Sequence, residues 1–407
     1  MPLSNSTLGA LAGYVTVTGR WWYYYNTTIG LPVSWATVQI YDLEPDGHIY
    51  PVGNPFLTDV NGYFNSGSIP NNNDPDGGYG LDIVVGVYAT SSIASVVNST
   101  GYYYYNLTTT VWANSPDGTL NVGDLVTRYD ERGAWWIYSY DFGLTRGWDY
   151  LSSTVGYNTP HVTAVWPYET VPHYHKGGEI DFPSWACWWP DVMLHEYGHH
   201  VMYSVYGFIP PSMQNHTFNL RSNSTTAWAE GWANFYPLAV FNDPIFTWSN
   251  GTHWADINLD TPHWCSSGWD DGDLVEGRVA GALWDIFDST NDDYDSLSDG
   301  FTRIWSLISS QTDNTFREFW QAWNASSYPK QSALMAIFQN SIDYRGLGDV
   351  NADGDVNILD STIVANAFGS RKGSSNFDQR ADLNYDDRVN ILDAIIVGNN
   401  FGKHYDC

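Results

Sequence analysis

The stretch Asp191–His200 most constrains the fold of this chain, because it holds two histidines four residues apart with a glutamate beside the first. On a helix this spacing puts His195 and His199 on one face, where both imidazoles can hold one zinc ion. Glu196 then points towards the open position of a catalytic zinc. Glutamate is scarce, with eight in 407 residues, so a chance match has an expectation of roughly 0.01 or less. The alternative is a buried helix whose histidines are only hydrogen-bonded.

A catalytic zinc needs a third protein ligand, and a second helical stretch, Thr226–Pro237, has Glu230 as its only acidic residue. This two-helix arrangement resembles the gluzincin metallopeptidases, in which a glutamate on a later helix completes the site and a carboxylate four residues further on orients the first histidine. The resemblance places Asn234 at that orienting position, where an amide accepts a hydrogen bond but carries no charge. It implies that one zinc ion is held by His195, His199 and Glu230.

Other zinc sites would take their third ligand from elsewhere in the chain. His216 is another candidate third ligand, although the surrounding Gln214–Thr217 is typical of a loop. A metzincin would need glycine and histidine where this chain has Met202 and Val205, so that family is excluded.

Peptide hydrolysis at such a site assigns Glu196 as general base, because zinc lowers the pKa of its water towards about 7. The developing oxyanion needs a further donor, and Arg278, His263 or a nearby tyrosine are the candidates. An ion pair of Arg278 with Glu276 or Asp285 is the structural alternative.

Short alternating runs separated by turns extend from about Leu11 to Val111 and predict a β-sandwich. Their order, and the element Thr58–Phe64, resemble carboxypeptidase-regulatory-like, transthyretin-type domains, which are accessory modules. Helical spacing then replaces the alternation. The predicted fold is multidomain: an N-terminal all-β sandwich over residues 1–120, a central α+β zincin-like peptidase domain over 121–345 and a C-terminal α dockerin-like domain over 346–407.

Two 12-residue loops rich in oxygen ligands repeat at a spacing of 33 residues near the C-terminus. Their side chains, with a backbone carbonyl at position 7, suit calcium. The first predicted site comprises Asp349, Asn351, Asp353, Asp355, Asn357 and Asp360. The second comprises Asp382, Asn384, Asp386, Arg388, Asn390 and Asp393. Asp387 stands where Gly354 makes the sharp turn of the first loop, which predicts strain in the second.

Each loop leads into an apolar helix ending in Phe-Gly, with no entering helix. This pattern resembles a type I dockerin over roughly Gly348 to Lys403. Dockerins bind cohesin modules through loop positions 10 and 11, which here are the apolar pairs Ile358-Leu359 and Ile391-Leu392. The resemblance therefore implies a cohesin-like partner, with self-association, packing within the repeat or docking on this chain's own domains as alternatives.

The acidic balance, 45 Asp and Glu against 16 Lys and Arg, disfavours nucleic acid as a partner. No apolar run is long enough to span a membrane. Cys187 and Cys265 flank the zinc helix and form a candidate disulfide, which together with the sequons favours an extracellular location. The candidate glycosylation sites are Asn5, Asn26, Asn98, Asn106, Asn215, Asn223, Asn250 and Asn324.

Together these patterns favour a secreted or cell-surface zinc endopeptidase with one zinc and two calcium ions, acting on protein or peptide substrates. The alternative is a non-catalytic extracellular assembly subunit, of a filament or surface layer, that retains the peptidase fold.

Overall fold

The computed structural model describes residues 13–24, 30–71, 80–127, 134–168, 171–213, 215–260, 264 and 266–405. The chain forms two compact units, one of Met1–Tyr150 with Asn158–Met193 and one of Leu151–Tyr157 with Leu194–Cys407. The predicted domain boundaries at residues 120 and 345 remain predictions.

Two four-stranded sheets form much of the first unit. The strands of the first sheet are β1 (Tyr14–Tyr24), β2 (Gly30–Pro32), β5 (Tyr63–Pro70) and β9 (Gly118–Thr127). In this sheet β1 pairs with all three other strands, antiparallel with β2 and β5 and parallel with β9. The second sheet runs in the order β4, β3, β6, β8. Its strands are β3 (Thr37–Leu43), β4 (Ile49–Leu57), β6 (Ile83–Tyr88) and β8 (Tyr105–Leu107). Alternate side chains such as Val15 and Val17 on β1 are fully buried, as the period of two requires.

A third sheet joins an N-terminal strand to strands from much later in the chain. Its order is β11, β12, β10, β7, and β7 pairs in parallel with β10. The strands are β7 (Ala94–Val97), β10 (Val162–Tyr168), β11 (His173–His175) and β12 (Glu179–Pro183). Before β10 come α1 (Ala134–Tyr140), a π-helical turn (Asp141–Thr145) and α2 (Arg146–Val155).

The second unit is mainly helical. Its helices before the calcium loops are α3 (Pro190–Tyr206, beginning in the first unit), α4 (Ser224–Phe241), α5 (Glu276–Phe287), α6 (Gly300–Ser310), α7 (Phe316–Ala325) and α8 (Lys330–Gln339). A hairpin of β13 (Ile245–Ser249) and β14 (Trp254–Asn258) follows α4.

Glycines let the central helices approach closely. A Cβ at Gly198 of α3 would lie 3.0 Å from the Cα of Ala233 on α4, and one at Gly231 would lie 2.6 Å from a methyl carbon of Val279 on α5. Trp232 of α4 stabilises the contact between α3 and α4 by donating its indole N–H to the Gly198 carbonyl at 3.0 Å. Three helix backbones are thus held near one another where their polar side chains converge.

The C-terminal segment contains two helices, α9 (Ile358–Ala367) and α10 (Ile391–Asn400), around a small core of valines. Arg345, just before the first loop, is 1% exposed at its side chain and pairs with Asp343 at 2.9 Å. It also donates to the carbonyl of Val350 at 2.8 Å, and the Asp343 carboxylate accepts a hydrogen bond from Tyr385. One buried ion pair therefore fastens both calcium loops to the end of the preceding helical region.

Within the described residues, no helix combines the length and apolar character needed to cross a membrane.

Candidate metal centre

Helices α3 and α4 present the predicted zinc ligands. Pro190 begins α3, a position where its missing N–H has no cost. Asn223 caps α4 by accepting a hydrogen bond from the backbone N–H of Thr226 at 2.8 Å. The 3.6-residue repeat then puts Glu230 and Asn234, four residues apart, on one side of α4.

The structure brings His195, His199 and Glu230 together. The Nε2 atoms of both histidines lie 3.2 Å from the same carboxylate oxygen, Oε2 of Glu230. Tetrahedral zinc with bonds of about 2.0–2.1 Å holds its ligand atoms roughly 3.3 Å apart, so this donor set fits the ion in both type and spacing. Both His199 and Glu230 are largely buried.

Asn234 occupies the orienting position that the gluzincin resemblance implies. Its Oδ1 lies 2.8 Å from Nδ1 of His195, and its amide Nδ2 donates towards Oε1 of Glu276 at 3.5 Å. Glu276, at the start of α5, is 2% exposed. Glu276 therefore supplies, behind Asn234, the negative charge that Asn234 itself lacks.

His216 completes this network, although it is not among the three converging ligands. Its Nδ1 lies 2.6 Å from Oε2 of Glu276, and its Nε2 lies 3.8 Å from Oε1 of Glu230. Sequence reasoning considered His216 only as a ligand and Glu276 only as a partner of Arg278. No local pattern signals their pairing, because 60 residues separate them.

The electrostatics of the cluster favour positive charge. Burial lowers the pKa of His195, but its hydrogen bond with Glu230 and nearby carboxylates outweigh burial and raise that pKa. Burial raises the pKa of Glu230, yet the charge of His199 and hydrogen bonds from both histidines bring it well below its usual range. The hydrogen bond with Glu276 raises the pKa of His216 to about 9. Glu230 is thus held as a carboxylate, and a divalent cation bound by the imidazoles would take the place of their protons.

Glu196, the predicted general base, lies beside His195 on α3 and is 8% exposed. The negative charge of Glu196 helps to raise the pKa of His195, although burial and the hydrogen bond with Glu230 have larger effects. Its role as general base stays a prediction.

The first calcium loop is arranged around two fully buried carboxylates, Asp349 and Asp360. Asp349 accepts from the backbone N–H of Gly354 at 2.9 Å, and Asp360 accepts from that of Val350 at 2.7 Å. Asn357 at position 9 caps α9 in a reciprocal capping box with Asp360. Backbone N–H groups of this loop therefore hold two of its predicted calcium ligands in place.

The second loop repeats the same hydrogen bonds around Asp382 and Asp393. Asp387 adopts a left-handed φ of 61°, where Gly354 has 90°, so the second loop places a side chain in a region that favours glycine. Burial, together with the charge of Asp393, raises the pKa of Asp382 to about 6. Because Asp382 is a predicted calcium ligand, a proton on it would compete with calcium, and we expect calcium binding to this loop to weaken as pH falls below about 6.

Comparison with known proteins gives two family matches. Residues 149–341 match the Mycolysin C-terminal domain, and residues 347–402 match the Dockerin type I domain. The chain is a metallopeptidase-like protein with a type I dockerin domain. The first match contains the cluster of His195, His199 and Glu230, and the second confirms the dockerin prediction for residues 348–403. The metallopeptidase match implies zinc and the dockerin match implies calcium. Domains of both types are typical of extracellular proteins.

The other comparisons carry no functional argument. The comparison with curated proteins finds no match. Among solved structures, a 9R-lipoxygenase from Cyanothece PCC8801 matches at 13% identity with a TM-score of 0.20, over 50% of this chain and 24% of that chain. The chain thus spans about a quarter of that structure's length, and the score is too low to support a shared fold.

Arg278 is fully buried and forms an ion pair with Asp271 at 3.1 Å, and its pairing with Glu276 or Asp285 stays a prediction. Its Nε also donates to the carbonyl of Asp270 at 3.1 Å. These contacts give Arg278 a structural role, and its catalytic role stays a prediction. His263, the other candidate donor, lies outside the described residues.

The predicted disulfide also involves a residue outside the described ranges, Cys265. Cys187 is buried with a free thiol that donates to the Ser184 carbonyl at 3.1 Å, and burial raises its pKa to about 12. The pairing therefore stays a prediction.

The predicted cohesin-contacting residues and most of the candidate glycosylation sites lie within the described residues. At loop positions 10 and 11 of the dockerin domain, between 51% and 66% of each residue's surface is exposed for Ile358, Leu359, Ile391 and Leu392, so most of this apolar surface is not packed within the repeat. Of the candidate glycosylation sites, Asn215, Asn223 and Asn250 are exposed, Asn98, Asn106 and Asn324 are half-buried, and Asn5 and Asn26 lie outside the described residues.

Proposed function

We propose that this protein is an extracellular zinc endopeptidase of the gluzincin type, anchored to partners through its dockerin domain. The observation that carries the proposal is the convergence of two imidazole nitrogens on one carboxylate oxygen, each at 3.2 Å, with Glu196 beside them. The two N-terminal sheets would serve as the accessory β-sandwich.

A zinc ion held by His195, His199 and Glu230 would supply Lewis acidity, lowering the pKa of a water and polarising a peptide carbonyl. The protein's own part begins with Glu196, which accepts a proton from the attacking water and returns it to the leaving amine nitrogen. Asn234 holds the imidazole of His195 in one orientation through its Nδ1.

His216 is the donor that we assign to the developing negative charge on the substrate oxygen. Its Nε2 lies 3.8 Å from Oε1 of Glu230 and its Nδ1 is held by Glu276, and this hydrogen bond raises the pKa of the imidazole to about 9 and favours its protonated form. A fixed cationic N–H at this place can stabilise an oxyanion without reorganising.

The deciding experiment compares the wild type with Glu196→Gln on an unfolded protein substrate. We expect the variant to keep its zinc and lose about 10²–10⁴-fold in kcat, the usual contribution of a general base. Glu44→Gln is the matched control, since it makes the same chemical change on a glutamate outside the cluster. Zinc bound by the wild type without hydrolysis of any unfolded protein would refute the enzyme and favour a non-catalytic assembly subunit.

Docking is the second part of the proposal, carried by the four exposed aliphatic side chains at loop positions 10 and 11. A cohesin-like partner would bury them on a surface ordered by two calcium ions. Capture of cohesin modules should therefore depend on calcium and be lost in Leu359→Asp. If a chelator changes neither capture nor melting of the C-terminal domain, the two loops are not calcium sites.

A further inference from the structure

The hairpin of β11 and β12 carries a second group of metal-ligating side chains, in the first unit. In the antiparallel register His173 lies opposite Asp181, and His175 lies opposite Glu179. Directly opposed residues point to the same face of a sheet, and so do residues two apart along a strand. All four side chains therefore share one face, while Tyr174 and Ile180, the pair between them, are buried on the other.

The ligand atoms of this hairpin are already close together. Nε2 of His175 lies 2.7 Å from Oδ2 of Asp181, and one ligand atom from each of His175, Glu179 and Asp181 lies within 4.8 Å of the others. The ring centroid of His173 is 4.7 Å from that of His175. Small rearrangements of the side chains would place three or four donors around one ion.

Asp181 gives an independent reason to expect an ion. Its side chain is only 4% exposed, and its Oδ1 is buried with no hydrogen-bond partner among the described residues. A buried carboxylate oxygen without a partner is costly, and native structures nearly always satisfy it. The hydrogen bond to His175 satisfies only Oδ2 of Asp181. A simple histidine–aspartate pair would therefore leave Oδ1 without a partner and would give no reason for Glu179 to lie on the same face.

We propose that His175, Glu179 and Asp181, with His173 in reach, form a second binding site for a divalent transition-metal ion such as zinc. Mixed imidazole and carboxylate donors suit zinc and its neighbours, whereas calcium prefers oxygen ligands alone. The side chain of His175 is 44% exposed, so water has access to complete the coordination. The bound ion would tie β11, an edge strand of three residues, to its neighbour β12.

The test counts tightly bound zinc in the full-length protein by elemental analysis after dialysis, with calcium saturating the dockerin loops. We expect two zinc equivalents in the wild type and one in His175→Ala. Glu179→Gln should also lose one equivalent, and because Glu179 is exposed this change leaves the fold intact. His48→Ala is the matched control, since His48 pairs with the single carboxylate of Asp46 at 3.1 Å and should keep both ions.

A variant with both His195→Ala and His199→Ala separates the two sites. It should retain one zinc equivalent that is lost when His175→Ala is added, whether or not the wild type hydrolyses proteins. An anomalous-scattering peak at the zinc edge between His175 and Asp181 in crystals of this variant would locate the ion. The proposal is overturned if this variant binds no zinc, or if its zinc persists after His175→Ala.

Discussion

Replacing Asn234 with aspartate would place a second carboxylate beside Glu276 in the interior of the helical unit. Asn234 is fully buried, and its amide nitrogen, the atom that becomes an oxygen in Asn234→Asp, lies 3.5 Å from Oε1 of Glu276. Its Oδ1 would still accept from His195. The substitution therefore tests whether position 234 must be uncharged because the Glu276 carboxylate lies next to it.

The expected cost follows from that distance. Two unit charges 3.5 Å apart repel by about 4–5 kcal/mol at the effective dielectric constant of about 20 that suits protein sites. A charged acceptor strengthens the hydrogen bond to His195 by about 1–2 kcal/mol. We therefore expect Asn234→Asp to lower the free energy of unfolding of chelator-treated protein by about 3 kcal/mol.

Urea unfolding of four proteins measures the effect: the wild type, Asn234→Asp, Glu276→Gln and the double variant. Without the charge of Glu276, aspartate at position 234 should cost much less stability. The double-mutant cycle should therefore give a coupling energy between the two positions of at least about 2 kcal/mol. Asn250→Asp is the control for adding one charge to a chain of net charge −29, because Asn250 is exposed. Coupling within about 0.5 kcal/mol of zero would refute the reasoning, since independent sites are additive to that extent.

Two further perturbations concern the buried charges of the helical unit. Arg345→Ala should lower the free energy of unfolding by about 3–5 kcal/mol in saturating calcium, because it leaves the Asp343 carboxylate, which is 18% exposed, without its cationic partner. Urea unfolding compares this variant with the exposed control Arg371→Ala, and an equal loss in both would contradict a fastening role for the Arg345–Asp343 ion pair. Burial raises the pKa of Asp295 to about 7, so the folded state binds a proton that the unfolded chain releases near pH 4, and this group's contribution to stability should fall as pH rises from about 4 to 7. Asp295→Asn should flatten that part of the stability profile, and an unchanged slope would show that Asp295 is not responsible.

The dockerin was predictable because its ligands are local in sequence. Twelve consecutive residues supply each loop, and the duplication makes the pattern specific. The family match over residues 347–402 confirms that prediction. The ion pair of Arg345 and Asp343, which fastens the loops to the helical region, was not predicted, because Asp–x–Arg in a turn has no distinctive local pattern.

The third sheet shows where alternation of apolar residues stops being informative. Ala94–Val97 has the composition of any buried strand, and its pattern is compatible with the sheets formed by its sequence neighbours. It pairs instead with β10, whose partner residues begin at Val162. Parallel pairing over such a separation depends on the packing of intervening elements, so the predicted sandwich boundary could not include this crossover.

The sequence by itself determined which atoms could face one another within a helix or a loop. Helical periodicity alone puts His195 and His199 on one face, and Glu230 and Asn234 on another. Only the tertiary structure decided that these faces meet, through the close approach at Gly198, and that Glu276 stands behind Asn234 with His216 as its partner. The physical reason is that backbone periodicity is local, whereas the convergence of side chains from three helices and a loop depends on how the helices pack.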